Sequence, residues 1–243
     1  SADLGWTEAG SATTWDIEWG ASGFTPTGTA TISGTTSNPY NLTGLTGATA
    51  YDFYVRADCG SGDLSTWSGL YTFTTSCSVA TAPYTEDFTS GTLPTCWSTY
   101  NTNGSLWTHA SSFSYNNAEC TAPGDHTTSS SGTSGFFAVD MSSGDVGVVM
   151  EMVDVDVSAL TVPQLSFWYN MCGSGYTPPN ELHVESWDGT AWNSLDSITT
   201  ATTGWQEFTY TLTGHTYGAS LVKIRFCHLI QRSLKQGVED IHL

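Results

Sequence analysis

Large apolar and polar side chains alternate along most of this chain with the two-residue period of a half-buried strand. Trp15-Asp16-Ile17-Glu18-Trp19 shows the pattern, and Tyr51-Asp52-Phe53-Tyr54-Val55-Arg56-Ala57-Asp58 repeats it apart from the Phe53-Tyr54 step. Leu165, Phe167, Tyr169 and Met171 fall on one face of a strand, with Ser166, Trp168 and Asn170 on the other. Leu182, Val184 and Ser186 form another such row, as do Val222, Ile224 and Phe226 against Lys223 and Arg225. Gly, Ser, Thr and Asn separate the runs, which is the turn chemistry of antiparallel sheets. No stretch of about twelve residues carries the apolar stripe of an amphipathic helix, so the pattern predicts an all-β protein.

The spacing of the strands predicts two β-sandwich domains. Over residues 1–76 they recur about every ten residues, as in an immunoglobulin-like sandwich. Beyond a boundary at Ser76 to Pro83 the loops lengthen and aromatics become denser. Residues 77–243 are expected to form a larger jelly-roll-like sandwich.

Composition narrows the function classes. The 243 residues include 23 acidic and 5 basic ones, a net charge of -18. Phosphate backbones need Lys and Arg to displace their counterions, so a nucleic-acid binder is excluded. Anionic membrane surfaces are disfavoured on the same ground, and no apolar run is long enough for membrane insertion. An acidic surface either collects divalent cations or keeps a secreted protein soluble, and both readings stay open. Cys59, Cys77, Cys96, Cys120, Cys172 and Cys227 lack the close pairs of a zinc site. Disulfides in an oxidising compartment are expected, with the pairing left open by the count alone. The chain opens on Ser1-Ala2-Asp3-Leu4 without a signal peptide, as a mature fragment or a piece of something longer would.

Short motifs carry further information. Leu4-Gly5-Trp6, Trp15 to Gly20 and Trp67-Ser68-Gly69-Leu70-Tyr71-Thr72-Phe73 read as a second, a third and a last strand. Between them, Leu42-Thr43-Gly44-Leu45-Thr46-Gly47-Ala48-Thr49-Ala50-Tyr51 follows a Leu-x-Pro-x-Thr-x-Tyr corner, with Gly47 in the proline position. On these residues the first domain resembles a fibronectin type III domain of large secreted proteins from Bacteroidota-like bacteria. The resemblance implies that the Tyr51 hydroxyl ties its strand to a preceding loop. It also implies that a first strand is missing, either by truncation or because a neighbouring copy donates it.

The second domain carries Tyr84-Thr85-Glu86-Asp87-Phe88, Leu93-Pro94-Thr95-Cys96-Trp97, Leu106-Trp107 and Pro123-Gly124-Asp125-His126-Thr127. Pro163 to Tyr169 and the terminal Glu239-Asp240-Ile241-His242-Leu243 follow in order. Together these resemble a MAM-type jelly roll, which implies an extracellular adhesion or recognition role. The resemblance also suggests a structural calcium ion shared by Glu86, Asp87, Asp125 and Asp240, hard oxygen ligands of the kind that ion takes. Asp in loops has turn chemistry as its ordinary alternative. Cys227 to Gly237 departs from the Gly- and Ser-rich loop of such domains, and four of the five basic residues lie between Lys223 and Lys235.

No motif of a known catalytic class appears. The six histidines show no HExxH, and there is no GxSxG elbow or phosphate loop. Glu151, Glu181, Glu185 and Glu207 alternate outward as a solvated face does, although carboxylates that meet in space are what glycoside hydrolysis requires. Trp187 and Trp192 flank the Asp188-Gly189 turn, where they either cover the sandwich end or offer flat apolar faces to a sugar. Asn41 and Asn103 open N-glycosylation sequons, and Asp196-Ser197-Ile198 resembles an O-glycosylation signal at Ser197. Antiparallel pairing is expected to place Asp58 near Leu70 and Tyr51 near Cys77. Cys59 and Cys77 would then lie too far apart for a bridge, which directs Cys77 to Cys96. The sequence therefore points to a non-catalytic adhesive or fibre-forming module whose partners are neighbouring copies or domains. A carbohydrate-binding accessory module that takes glycans is the alternative.

Overall fold

The computed structural model describes residues 1–101, 106–111, 124, 126, 135–140, 147–171, 181–202, 204–228 and 235–243, with backbone alone at 140, 235–237, 239 and 240. Every regular element among them is a strand, so the fold class is all-β as the alternation predicts. The chain divides into two compact units, Ser1–Ser78 and Val79–Leu243.

The first unit contains β1 (Ala2–Leu4), β2 (Thr14–Ala21), β3 (Ile32–Thr35), β4 (Tyr40–Leu42), β5 (Ala50–Asp58) and β6 (Tyr71–Thr74). β1 pairs antiparallel with β4, and the other four form a sheet in the order β3-β2-β5-β6. Leu4, Trp15, Ile17, Leu42, Phe53 and Val55 form one buried cluster that joins the two sheets. The outer face of the larger sheet holds carboxylates that work as local staples. Asp16 accepts Nε and Nη2 of Arg56 together with Ser33 Oγ and Gly34 N. Glu18 gathers Thr27 N, Thr27 Oγ1 and Gly28 N, and Asp52 gathers Ser22 Oγ, Gly23 N and Thr72 Oγ1. Burial opposes ionisation at Asp16 and Glu18, yet these donors hold all three carboxyls below the usual range.

The Tyr51 hydroxyl accepts the Thr46 N–H at 3.0 Å, which closes the corner. At the neighbouring Gly47, a Cβ would stand 2.6 Å from Ser78 Oγ and 2.8 Å from Ser78 N. That close approach accounts for glycine where the resemblance calls for proline. The β5–β6 register corrects the sequence expectation: Tyr51 pairs with Phe73 and Phe53 with Tyr71, four residues short of a Tyr51–Cys77 pairing. β6 stops at Tyr71 because side chains interrupt the ladder. Ser68 Oγ accepts Val55 N and Ser65 Oγ accepts Ala57 N in place of strand carbonyls.

The second unit opens with β7 (Ala80–Thr81), β8 (Thr85–Glu86), β9 (Ser98–Tyr100), β10 (Thr108–Ala110) and β11 (Phe136–Asp140). It continues with β12 (Val148–Glu151), β13 (Val155–Asp156), β14 (Gln164–Met171), β15 (Leu182–Trp187) and β16 (Trp192–Ile198). The last strands are β17 (Gln206–Thr211), β18 (Leu221–Val222), β19 (Ile224–His228) and β20 (Lys235–His242). One sheet runs β10-β11-β20-β14-β17 with β8 beside β20, and a second runs β16-β15-β19-β12-β9. A small sheet, β18-β13-β7, completes the unit. The inward rows of the two large sheets merge into one apolar core that includes Leu165, Phe167, Met171, Val238 and Ile241 from one and Met150, Val184, Ile224 and Phe226 from the other. Phe167 meets Phe226 edge to face across that core at 5.0 Å between ring centroids.

Candidate functional site

The five-stranded sheet presents an outward face unlike a plain solvated one. Period two sends His183, Glu185 and Trp187 of β15 outward, with Arg225 and Cys227 of β19, Glu151 of β12 and Tyr100 of β9. Register then lines them up, because Glu185 stands opposite Arg225 and Arg225 opposite Glu151. The turn at 188–191 sets Trp187 opposite Trp192, and a bulge between Val184 and Glu185 shifts the β15–β16 register farther from the turn. The turn joining those strands is built by Asp188, whose Oδ1 accepts Thr190 N, Thr190 Oγ1 and Ala191 N at 2.8 Å each. Asn193 donates to Oδ2 at 2.7 Å, and these donors, Ala191 N foremost, hold the Asp188 carboxyl far below its usual range.

The charged and aromatic groups are held by one another. The Trp187 and Trp192 ring centroids are 5.4 Å apart. The Arg225 guanidinium lies 4.3 Å from the centroid of Trp192 while its Nε donates to Glu185 Oε2. Lys223 Nζ reaches Glu151 Oε1 at 2.7 Å, and the Tyr100 hydroxyl donates to Glu151 Oε2 at 3.0 Å. Burial pushes the Tyr100 hydroxyl above its ordinary pKa, and the Glu151 charge adds to that. Burial opposes the Lys223 charge, but Glu151 outweighs it and raises the ammonium. Tyr217 extends the face by donating to Asp154. The arrangement offers fixed donors and acceptors beside aromatic rings, with Arg225 and Lys223 each paired to a carboxylate.

Two constellations on this face resemble catalytic ones. Ser197 Oγ lies 2.9 Å from His183 Nδ1, and His183 Nε2 lies 2.7 Å from Glu181 Oε2. A serine nucleophile works with backbone or side-chain donors aimed at the developing oxyanion. Here the Ser197 N–H donates to Asp196 Oδ1 at 2.7 Å and is committed to that carboxylate. Glu185 and Glu151 stand two strands apart, roughly 10 Å at the usual strand spacing. Arg225 lies between them in register, where an attacking water would have to sit. Glu207 belongs to β17 in the other sheet, opposite Trp168.

Of the remaining sequence-derived candidates, Glu86 stands on β8 opposite Ile241 of β20, the neighbour of Asp240 in the chain. Glu86 Oε1 accepts Phe88 N at 2.8 Å, and Asp87 Oδ1 accepts Thr89 N and Oγ1. Burial, with the Asp87 charge behind it, raises the Glu86 carboxyl above its ordinary pKa. Asp125, Asn103 and the side chain of Asp240 lie outside the described residues. Among the described residues, no three His, Cys, Asp or Glu side chains converge as a metal site. Asn41 is exposed on β4 and its Nδ2 donates to Asp3 Oδ1 at 2.7 Å, while Ser197 is exposed on β16. Cys77 and Cys96 are each disulfide-bonded, whereas Cys59 and Cys227 are free. Burial pushes the Cys227 thiol up, away from reactivity. Sequence reading picked out the two tryptophans but not Tyr100, Glu151, Glu185, Lys223 and Arg225 as their neighbours. The signal available was the outward charge alternation of Lys223 and Arg225 within an otherwise base-poor chain.

No protein-family profile matches the sequence, and no curated protein matches it. Solved structures similar to this chain include the K1 cleaved adhesin domain of Lys-gingipain from Porphyromonas gingivalis, at TM-score 0.46 and 13% identity, covering 65% of this chain and 95% of that one. The K3 cleaved adhesin domain of the same protein gives TM-score 0.45 and 15% identity over 65% and 95%. TmCBM61 in complex with β-1,4-galactotriose gives TM-score 0.44 and 11% identity over 64% and 92%.

Proposed function

We propose that this chain is a non-catalytic extracellular adhesion module that recognises a neutral glycan through the outer face of its five-stranded sheet. The observation that carries the reading is the Trp187–Trp192–Arg225–Glu185–Glu151–Tyr100 constellation. Aromatic rings match the apolar face of a pyranose, and preset charged hydrogen-bonding groups address its hydroxyls. The balance of Arg225 and Lys223 against Glu185 and Glu151 favours an uncharged ligand over an anionic one. Disulfide-bonded Cys77 and Cys96 support an oxidising, extracellular setting. The fibronectin type III and MAM resemblances support a place in a larger surface protein or fibre, next to further copies or domains. A glycan array tests the site. Neutral oligosaccharides should bind, and Arg225→Met or Trp192→Ala should each weaken binding by about tenfold or more. Binding that both variants leave unchanged places the ligand elsewhere, and an array without hits leaves adhesion to protein partners.

The calcium proposal rests on Glu86, a half-buried carboxylate beside Asp87 whose raised pKa a divalent cation would reverse. Asp125 and Asp240 are the further ligands that the resemblance suggests. Excess chelator should lower the melting temperature, because an ion that binds only the folded state stabilises it by mass action. A melting curve that neither chelator nor Asp125→Ala moves disposes of the site.

A further inference from the structure

Two of the chain's five basic residues are arranged alike, one in each unit. Arg225 lies 4.3 Å from the Trp192 centroid and donates to Glu185, its partner on the adjacent strand. Arg56 lies 4.3 Å from the Trp67 centroid and donates to Asp16, which stands opposite it on β2. Local bonds build the second stack. The Ser65 N–H donates to Ala57 O and the Ser68 N–H to Val55 O, which fastens their segment along β5. Trp67 is thereby held beside Arg56, the residue between those two acceptors. Tyr54 follows on the same face of β5 and meets Phe24 edge to face at 5.9 Å between centroids. Phe24 lies against Gly20, where a Cβ would stand 2.8 Å from its Cγ. Trp67, Arg56, Tyr54 and Phe24 thus form a half-buried stripe on the outer face of the larger sheet.

The chemistry of the stripe selects what fits it. Its rings offer apolar surface, and the donors left beside them are few. Asp16 takes Nε and Nη2 of Arg56, while Nη1 and the Tyr54 hydroxyl have no partner among the described residues. Asp16, Glu18 and Asp52 on the same face are 4% exposed or less. Every one of their oxygens is already bonded. A basic ligand therefore finds no open carboxylate, and an acidic one meets three negative charges against one guanidinium. A neutral ligand with an apolar face and hydroxyls at its edge answers both conditions, and a pyranose has that form. We propose that the Trp67–Arg56–Tyr54–Phe24 stripe is a second recognition face for neutral glycans. The choice of a glycan rests on the reading of the Trp192–Arg225 face, whose chemistry this one repeats.

The test is a titration of the full chain with cellotetraose, mannotetraose and β-1,4-galactotetraose, followed by amide and indole chemical shifts. At least one sugar should shift Tyr54, Arg56 and the Trp67 indole. Trp67→Ala should weaken that response about tenfold or more. Tyr54→Phe keeps the ring against Phe24 and should weaken it severalfold. Neither variant should alter responses at Trp187, Trp192 and Arg225, and Trp192→Ala should do the converse. An oligogalacturonate of the same length should bind about tenfold weaker than the neutral sugar or less. The proposal is overturned if none of the three sugars shifts Tyr54, Arg56 or Trp67, or if both variants leave the response unchanged. Equal binding of the acidic sugar overturns it too. The Trp192 face survives each of these results if its own signals move. Shifts confined to Tyr54, Arg56 and Trp67 sink the Trp192 face and leave this one standing.

Discussion

Replacing Phe167 with alanine is expected to lower the unfolding free energy of the Val79–Leu243 unit by about 3–5 kcal/mol, the range for truncating an aromatic in a closed core. Phe167 is fully buried and ties two layers together. Its ring meets Phe208 at 4.8 Å within its own sheet and Phe226 at 5.0 Å across the core. Alanine removes the apolar surface and leaves a cavity that neighbours on two rigid sheets cannot collapse to fill. Phe167→Leu keeps most of the volume and should cost distinctly less. Chemical denaturation monitored by tryptophan fluorescence measures both variants. A loss under about 1 kcal/mol for the alanine variant would mean that the two sheets do not close on this residue.

Acid should weaken the same unit through His228. This residue continues the inward row of Ile224 and Phe226 on β19, opposite Leu182 and Val148, and is fully buried with both ring nitrogens unpaired. Burial, helped by the nearby His183, lowers its pKa from an ordinary 6.5 to about 4. The unfolded chain therefore takes up the proton first as pH falls. The stability is fully present above pH 6.5 and drains away between there and about pH 4, a loss of about 3 kcal/mol by linkage. Below that range both states are protonated and the loss levels off. His228→Leu should flatten this part of the profile relative to the unmodified protein, while carboxylate contributions stay common to both. Parallel profiles for the two proteins between pH 6.5 and 4 would show that His228 takes no part.

How legible the candidate site was depends on which interactions make it. Trp187 and Trp192 could be singled out because a turn signal, Asp188-Gly189, sits between them in sequence. That they meet ring to ring follows from the pairing the turn imposes, Trp187 directly opposite Trp192, which alternation alone does not announce. Arg225 was visible as an outward residue of its strand. Its stacking on Trp192 and its place between Glu185 and Glu151 follow from strand order, since β15, β19 and β12 are far apart in the chain and adjacent in the sheet. The β5–β6 register was misjudged for a local reason: Ser65 and Ser68 take over the hydrogen bonds that a longer β6 would have made.

What the sequence by itself determined is the all-β class, the inward rows of the main strands and the Tyr51 corner. Each of these is a local property: a strand exposes its two faces at period two, and the corner spans only the residues from Thr46 to Tyr51. The acidic composition was read as a matter of net charge, but the fold decided otherwise for Asp16, Glu18, Asp52 and Asp188. Each of them is spent on donors from a turn or a neighbouring strand. Tertiary structure alone decided which outward residues share a face and which histidine is sealed in the core. Those outcomes depend on pairing between distant segments, where hydrogen bonding and burial choose one register among many that local alternation permits equally well.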